Sequence, residues 1–408
     1  MIRNWFKNIG PGPLVAAAFI GPGTVTVCTI AGVGFGFALL WAMVFSIVAT
    51  IVLQEMSARL GIITQKGLSE IIRTEIQHPF LRAMAILLIL SAIVIGNAAY
   101  EAGNISGGVL GLEAIFGNSS IEIGSFSLNS FSLAIGSIAF AVLFIGKYKV
   151  LERILVSLVI LMSLAFLIAA ILTKPSFIEI LKGIFKFSTP QGSILTVIGL
   201  IGTTVVPYNL FLHASLVKEK WKNVSDLNYA KKDTFIAVVL GGIVSMCIII
   251  SAASIQTQQI NSAADLALGL EPLFGSFSKY VLAIGLFSAG ITSAITAPLA
   301  AAYVATGCLG WNSSMNDLKF KMVWMIVLGL GIVFSSIGFK SIEIIKFAQV
   351  ANGLLLPLIA GFLIWIMNKS SILGNYKNSL LQNTLSIIIL LITVFLGLKS
   401  ILNVFNLL

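Results

Sequence analysis

Residues 16–32, AAAFIGPGTVTVCTIAG, and residues 202–217, GTTVVPYNLFLHASLV, decide the fold. Each is apolar enough to sit in a membrane. Each is also interrupted near its middle, by Gly21-Pro22-Gly23-Thr24 in the first and by Pro207 in the second. Proline removes a backbone donor and clashes with the preceding turn, and glycine frees the backbone. An unwound stretch in hydrocarbon leaves N–H and C=O groups without partners, which is tolerated only where it lines a protein cavity. Two such breaks five spans apart, each ringed by hydroxyl and amide side chains, point to an inverted repeat with a solute site where they meet. A pair of ordinary proline kinks is the plainer alternative.

Composition agrees with a membrane setting. Of 408 residues, 58% are hydrophobic and 10% charged, against about a quarter charged in soluble domains. Mean hydropathy is +1.04. A spanning helix needs about 20 apolar residues. Apolar runs between charged breaks give eleven spans, at 12–34, 37–58, 83–112, 129–146, 152–172, 191–217, 233–254, 277–307, 322–338, 342–367 and 382–404. The expected architecture is therefore an all-α integral membrane protein of one transporter domain, because long unalternating runs exclude a β-barrel. Residues 12–172 form a first repeat, 191–367 a second, and 382–404 an additional helix. Pro11, Pro13 and Pro22 break the first run and no cleavage site follows, so it reads as a retained span.

Orientation follows from lysine and arginine. With the N-terminus in the cytoplasm, inside segments hold 18 of the 25 basic residues and outside segments 7. The odd span count then places the C-terminus outside, in the cell (inner) membrane of a prokaryote. The +10 charge belongs to topology and anionic lipid, and a nucleic-acid partner is excluded. Cys28, Cys247 and Cys308 lie inside apolar runs and read as core residues. No phosphate-binding glycine loop, HExxH or Ser/His/Asp constellation occurs, so neither an enzyme nor a cofactor is expected.

Span 3 carries a buried acid. Asn97, Glu101, Asn104 and Gly108 are spaced 4, 3 and 4 and share one helical face, while Gly96, Gly103, Gly107 and Gly111 allow close approach of neighbours. An ionisable group at mid-membrane costs about 3 kcal/mol on insertion scales, so Glu101 reads as a cavity or proton-relay residue. His213 lies four residues beyond Asn209 and can take a proton near neutral pH. Glu55 and Arg59 read as an i,i+4 pair or a gate contact. Ser288, Thr292, Ser293 and Thr296 on span 8, with Gln349 and Asn352 on span 10, either line the cavity or bond between helices.

Several stretches resemble the Nramp family of proton-coupled divalent-metal transporters. They are GPGPLVAAAFIGPGTVTVCTIAGVGFGFALLW, LQEMSARLGIITQKGLSE, GVLGLEAIFG, VVPYNLFLHASLV, VLAIGLFSAGITSAITAPLAAAYVATG and AQVANGLLLP. The resemblance implies a leucine-transporter-type 5+5 inverted repeat, broken helices 1 and 6, and alternating access. The ligand set differs. The family's Asp-Pro-Gly-Asn stands here as Gly21-Pro22-Gly23-Thr24, so Gly21 and Thr24 replace the metal-binding Asp and Asn. Its Met-Pro-His stands as Val206-Pro207-Tyr208, so the sulfur ligand and one proton-path histidine are absent. Glu101 and Asn104 occupy the proton-route Asp and Glu positions. His213 matches a second family histidine, and Gln349 matches the span 10 glutamine.

Dehydrated Mn²⁺ or Fe²⁺ wants carboxylate, carbonyl or sulfur ligands. Gly21, Thr24, Val206, Tyr208, Asn209 and Gln349 offer only neutral groups. The first expectation is a cation transporter of the family type with altered selectivity and proton coupling through Glu101, Asn104 and His213. The alternative is a carrier of a small zwitterion such as an amino acid, with sodium or protons as coupling ion. Its carboxylate would meet the backbone N–H groups of the span 1 break and its amine the carbonyls of the span 6 break. A non-transporting receptor or scaffold is the third.

Overall fold

The computed structural model describes residues 20–123, 126–146, 149–255, 260–311, 315–337 and 339–404. The first half of span 1, residues 12–19, lies outside them. The α-helices of eight or more residues are α1 Pro22–Phe35, α2 Leu40–Thr64, α3 Leu68–Glu75, α4 Pro79–Phe116, α5 Ser130–Ile145, α6 Lys149–Leu172, α7 Phe177–Phe185, α8 Ile194–Thr204 and α9 Pro207–Lys220. They continue with α10 Leu227–Ala252, α11 Ser278–Leu309, α12 Leu318–Ser336, α13 Ser341–Met367 and α14 Leu380–Val404. Eight helical segments are long and apolar enough to span a membrane, α6 with α7 makes a bent pair, and α1 and α5 are shorter apolar helices. Each of the eleven predicted spans is thus represented.

Local chemistry sets the ends. Pro22 occupies the first turn of α1, where a missing N–H costs nothing. Asn129 caps α5 by accepting from the N–H groups of Phe131 and Ser132 at 3.0 and 3.2 Å. One feature departs from the all-helical expectation: Ser120–Ile123 and Phe126–Asn129 pair as an antiparallel hairpin, β1–β2, between α4 and α5. Four-residue strands are too short to stand out as alternating runs.

Small residues let the long helices touch. Gly103 of α4 lies against Ala348 of α13, Gly111 against the Ala283 carbonyl of α11, and Gly61 of α2 against the Ala214 carbonyl of α9. At one end of the bundle Arg59, 3% exposed, ties three elements together. Its guanidinium donates to the Tyr376 carbonyl at 2.7 Å, to Asn378 Oδ1 at 2.8 Å and to Glu55 Oε2 at 3.0 Å. Glu55 also pairs with Lys231 of α10 at 3.2 Å. The Glu55–Arg59 pair is therefore the centre of a clamp joining α2, α10 and the α13–α14 connection.

Candidate substrate site

The two interruptions in the sequence come together in space. Gly21 is extended, with φ −92° and ψ 179°, and α1 begins at Pro22. α8 ends at Thr204, Val205 and Val206 leave helical geometry, and α9 begins at Pro207. The Thr24 and Thr203 hydroxyls, 179 residues apart, share a buried hydrogen bond of 2.8 Å. The span 6 break is thus described in full. For span 1 the described residues show its second half starting at the break.

Gln349 of α13 is wedged between the breaks. Its amide end lies where a side chain on Gly23 would stand, and its backbone carbonyl lies where one on Gly202 would stand. Pro22 packs on Gly107 of α4 in the same way. The Tyr208 ring meets that of Tyr100, with centroids 5.4 Å apart. Around this junction several buried polar atoms have no hydrogen-bond partner, namely both amide atoms of Asn209, Gln349 Oε1 and Asn352 Nδ2. Orphaned groups of this kind are costly, and a polar ligand that engages them removes the cost. The last carbonyls of α8 lack helical partners too and form the negative end of its dipole.

One turn further along α9, His213 Nδ1 is hydrogen-bonded to Gln54 Oε1 of α2, while His213 Nε2 and Gln54 Nε2 have no partner. Asn209, His213 and Gln54 thus make a polar track leading away from the breaks along the α2–α9 contact.

Glu101 and Asn104 occupy the other face of α4. Tyr100, Gly103 and Gly107 point toward the breaks and α13, whereas Asn97 donates to the Ala297 carbonyl of α11 at 2.9 Å and Glu101 rests on Gly331 of α12. Asn104 donates to Glu101 Oε2 at 3.3 Å, and Glu101 Oε1 has no partner. On α11 the hydroxyls of Ser288, Thr292 and Thr296 bond carbonyls of their own helix. They do not bridge helices. The structure therefore gathers Gly21, Thr24, Val206, Tyr208, Asn209 and Gln349 about the breaks and sets Glu101 and Asn104 to one side.

Three contributors are not singled out by sequence reasoning. Thr203 is marked only by its place in Gly-Thr-Thr ahead of Pro207. Tyr100 is hidden by the acid beside it. Gln54 is an amide in an apolar span, a signal present but overshadowed by Glu55 and Arg59. Among the described residues no group of three or more His, Cys, Asp or Glu could hold a metal ion.

A family model described as natural resistance-associated macrophage protein-like matches residues 12–403. The chain belongs to the Nramp family. This Nramp protein is 26% identical to the divalent metal cation transporter MntH of Staphylococcus saprophyticus, over 99% of this chain and 93% of that one. Its fold matches the crystal structure of the Eremococcus coleocola manganese transporter at TM-score 0.77 and 20% identity, covering 98% of this chain and 87% of that one. It also matches MhsT in complex with L-phenylalanine at TM-score 0.56 and 15% identity, covering 95% and 98%. The architecture is that of the leucine-transporter fold, and the protein is a multi-pass membrane transporter, not an enzyme.

Proposed function

We propose that this Nramp protein is a secondary active transporter that moves a divalent metal cation by alternating access, with selectivity altered from that of its metal-transporting relatives. The supporting observation is the Thr24–Thr203 hydrogen bond, which joins the two helix breaks beside the orphaned amides of Asn209 and Gln349. Those amide oxygens and the α8 carbonyls are hard, neutral donors. Such a set suits a cation that keeps part of its water shell better than one stripped to bare charge. Residues 12–172 and 191–367 act as the two repeats, with 382–404 appended. The N-terminus lies in the cytoplasm and the C-terminus outside, in the cell membrane.

The missing anionic ligand makes a direct test. Gly21→Asp puts a carboxylate at the break and is expected to tighten Mn²⁺ binding at least about tenfold, or about 1.4 kcal/mol. Isothermal titration of the purified variant against the wild type measures it. Unchanged Mn²⁺ affinity in a folded Gly21→Asp protein would contradict a cation site at the breaks.

Proton coupling falls to Glu101, Asn104 and His213. Glu101 bears on the cargo through proton transfer and not as its ligand, because its carboxylate lies on the α11–α12 side of α4. Glu101→Gln is expected to retain substrate binding while abolishing acidification of the vesicle interior during uptake, followed with an entrapped pH dye. Acidification equal to that of the wild type would remove Glu101 from the proton route.

A second reading has its own observation. α1 and α9 both begin at the breaks with no acidic residue in their first turns, so two positive helix ends converge there. That arrangement suits the carboxylate of a small amino acid. A thermal-shift panel of Mn²⁺, Mg²⁺ and the amino acids separates the two, since a ligand of the native state raises its apparent stability. Stabilisation by amino acids alone would replace the cation reading. No stabilisation by any solute would favour the receptor or scaffold.

A further inference from the structure

The connection between the two proposed repeats holds a helix of unusual make-up. α7, Phe177–Phe185, turns 116° from the Val156–Leu172 part of α6. Its sequence, FIEILKGIF, divides at 100° per residue into three sectors. Ile180, Gly183 and Ile184 face the protein, and Gly183 sits directly on the Phe37 carbonyl. The next sector is apolar yet uncovered: Phe177 is 70% exposed, Ile178 65% and Phe185 74%, with Leu181 between them. Glu179 and Lys182, with Lys186 just past the helix end, form the third sector and are exposed.

Three sectors in this order are what a helix lying in a membrane interface needs, with one side on protein, one in acyl chains and one among headgroups. The end of α6 that leads into it is apolar and uncovered as well, with Ile168, Ile171 and Leu172 exposed. Lys174, Lys182 and Lys186 against Glu179 give the segment a net positive charge. We propose that α7 is an interfacial helix that seats on an anionic lipid leaflet, its Phe177–Leu181–Phe185 edge in the acyl region and Lys182 and Lys186 at headgroup phosphates. The lysine and arginine distribution assigns this side to the outer leaflet.

The seat has a mechanical consequence. Besides the Gly183–Phe37 contact, Trp41 Nε1 of α2 donates to the Ser188 carbonyl at 2.8 Å, and the Trp41 and Phe187 rings meet edge to face at 5.5 Å. A helix held by lipid thereby holds the turn between α1 and α2, the segment that continues from the span 1 break. The proposal stands whatever solute is carried.

Spin labels test it on the full chain in mixed phosphatidylcholine–phosphatidylglycerol vesicles, in a background with Cys28, Cys247 and Cys308 replaced by alanine. Labels at Leu181→Cys and Lys186→Cys are compared for collision with oxygen, which enters lipid, and with a water-soluble nickel chelate. The oxygen-to-nickel ratio at 181 is expected to exceed that at 186 by about threefold or more. Equal ratios would overturn the proposal, whether both labels are wet or both are shielded. Hydrogen–deuterium exchange of the unmodified chain in nanodiscs gives a second readout independent of cysteine replacement. Residues 173–190 are expected to exchange more slowly when phosphatidylglycerol is present. Identical exchange with phosphatidylcholine alone would overturn the anionic-lipid contact.

Discussion

Gly23→Ala is expected to cut uptake into proteoliposomes by about tenfold or more while leaving the folded protein intact, because the change displaces one amide and little else. A Cβ on Gly23 would stand 2.2 Å from Gln349 Nε2 and 2.5 Å from its Cδ. Both are the far end of a flexible side chain, so the amide swings away and the site loses the Gln349 oxygen. Gly202→Ala is the contrast. There the new Cβ would stand 2.0 Å from the Gln349 backbone oxygen and 2.6 Å from the Gly353 nitrogen. Backbone cannot yield as a side chain does, and overpacking of a tight core costs about 1–3 kcal/mol or more. Gly202→Ala should therefore lower thermal stability as well as uptake. Size-exclusion profiles and melting curves beside the uptake assay separate the two. A Gly23→Ala protein that transports like the wild type would show that Gln349 does not serve the site.

Arg59→Ala is expected to be the most destabilising single change outside the breaks. Removing one partner of a buried ion pair costs about 3–5 kcal/mol, because the other is left uncompensated. Here the loss also leaves the Tyr376 carbonyl and Asn378 Oδ1 without that donor. Glu55 keeps Lys231, which moderates the penalty. The apparent melting temperature in detergent should fall by roughly 5 °C or more. Arg59→Lys should recover only part, since an ammonium cannot reproduce the forked donation to three acceptors. An unchanged melting curve for Arg59→Ala would mean that the clamp does not hold α2 to the α13–α14 connection.

How much of this is legible in the sequence varies with the kind of signal. The spans stand out because hydrocarbon demands long apolar runs. The break at Pro207 stands out because proline cannot continue the preceding ladder, and the extended Gly21 follows from Gly-Pro-Gly. The direction of a helical face is another matter. Spacing places Asn97, Glu101 and Asn104 on one side of α4 without saying which neighbour that side meets. The π-turn at Ser91–Ile95 then shifts the phase of everything after it, and no proline or glycine lies within it. Thr203 joins the site only because α8 ends one residue later. α7 lies in a segment whose charges break the apolar run, so it reads as a loop. Its three sectors have meaning only once the protein covers one of them.

The most direct measurement of the central claim is flux of Mn²⁺ and of Mg²⁺ into proteoliposomes, comparing the wild type with Asn209→Ala. Asn209 is buried at the start of α9 with neither amide atom partnered, so a cation passing between the breaks should meet it. Saturable flux in the wild type and a loss of about tenfold in a folded Asn209→Ala protein is the expected result. Wild-type flux of both cations no greater than that of empty vesicles, or full flux in the variant, would contradict a metal pathway where the two helix breaks meet.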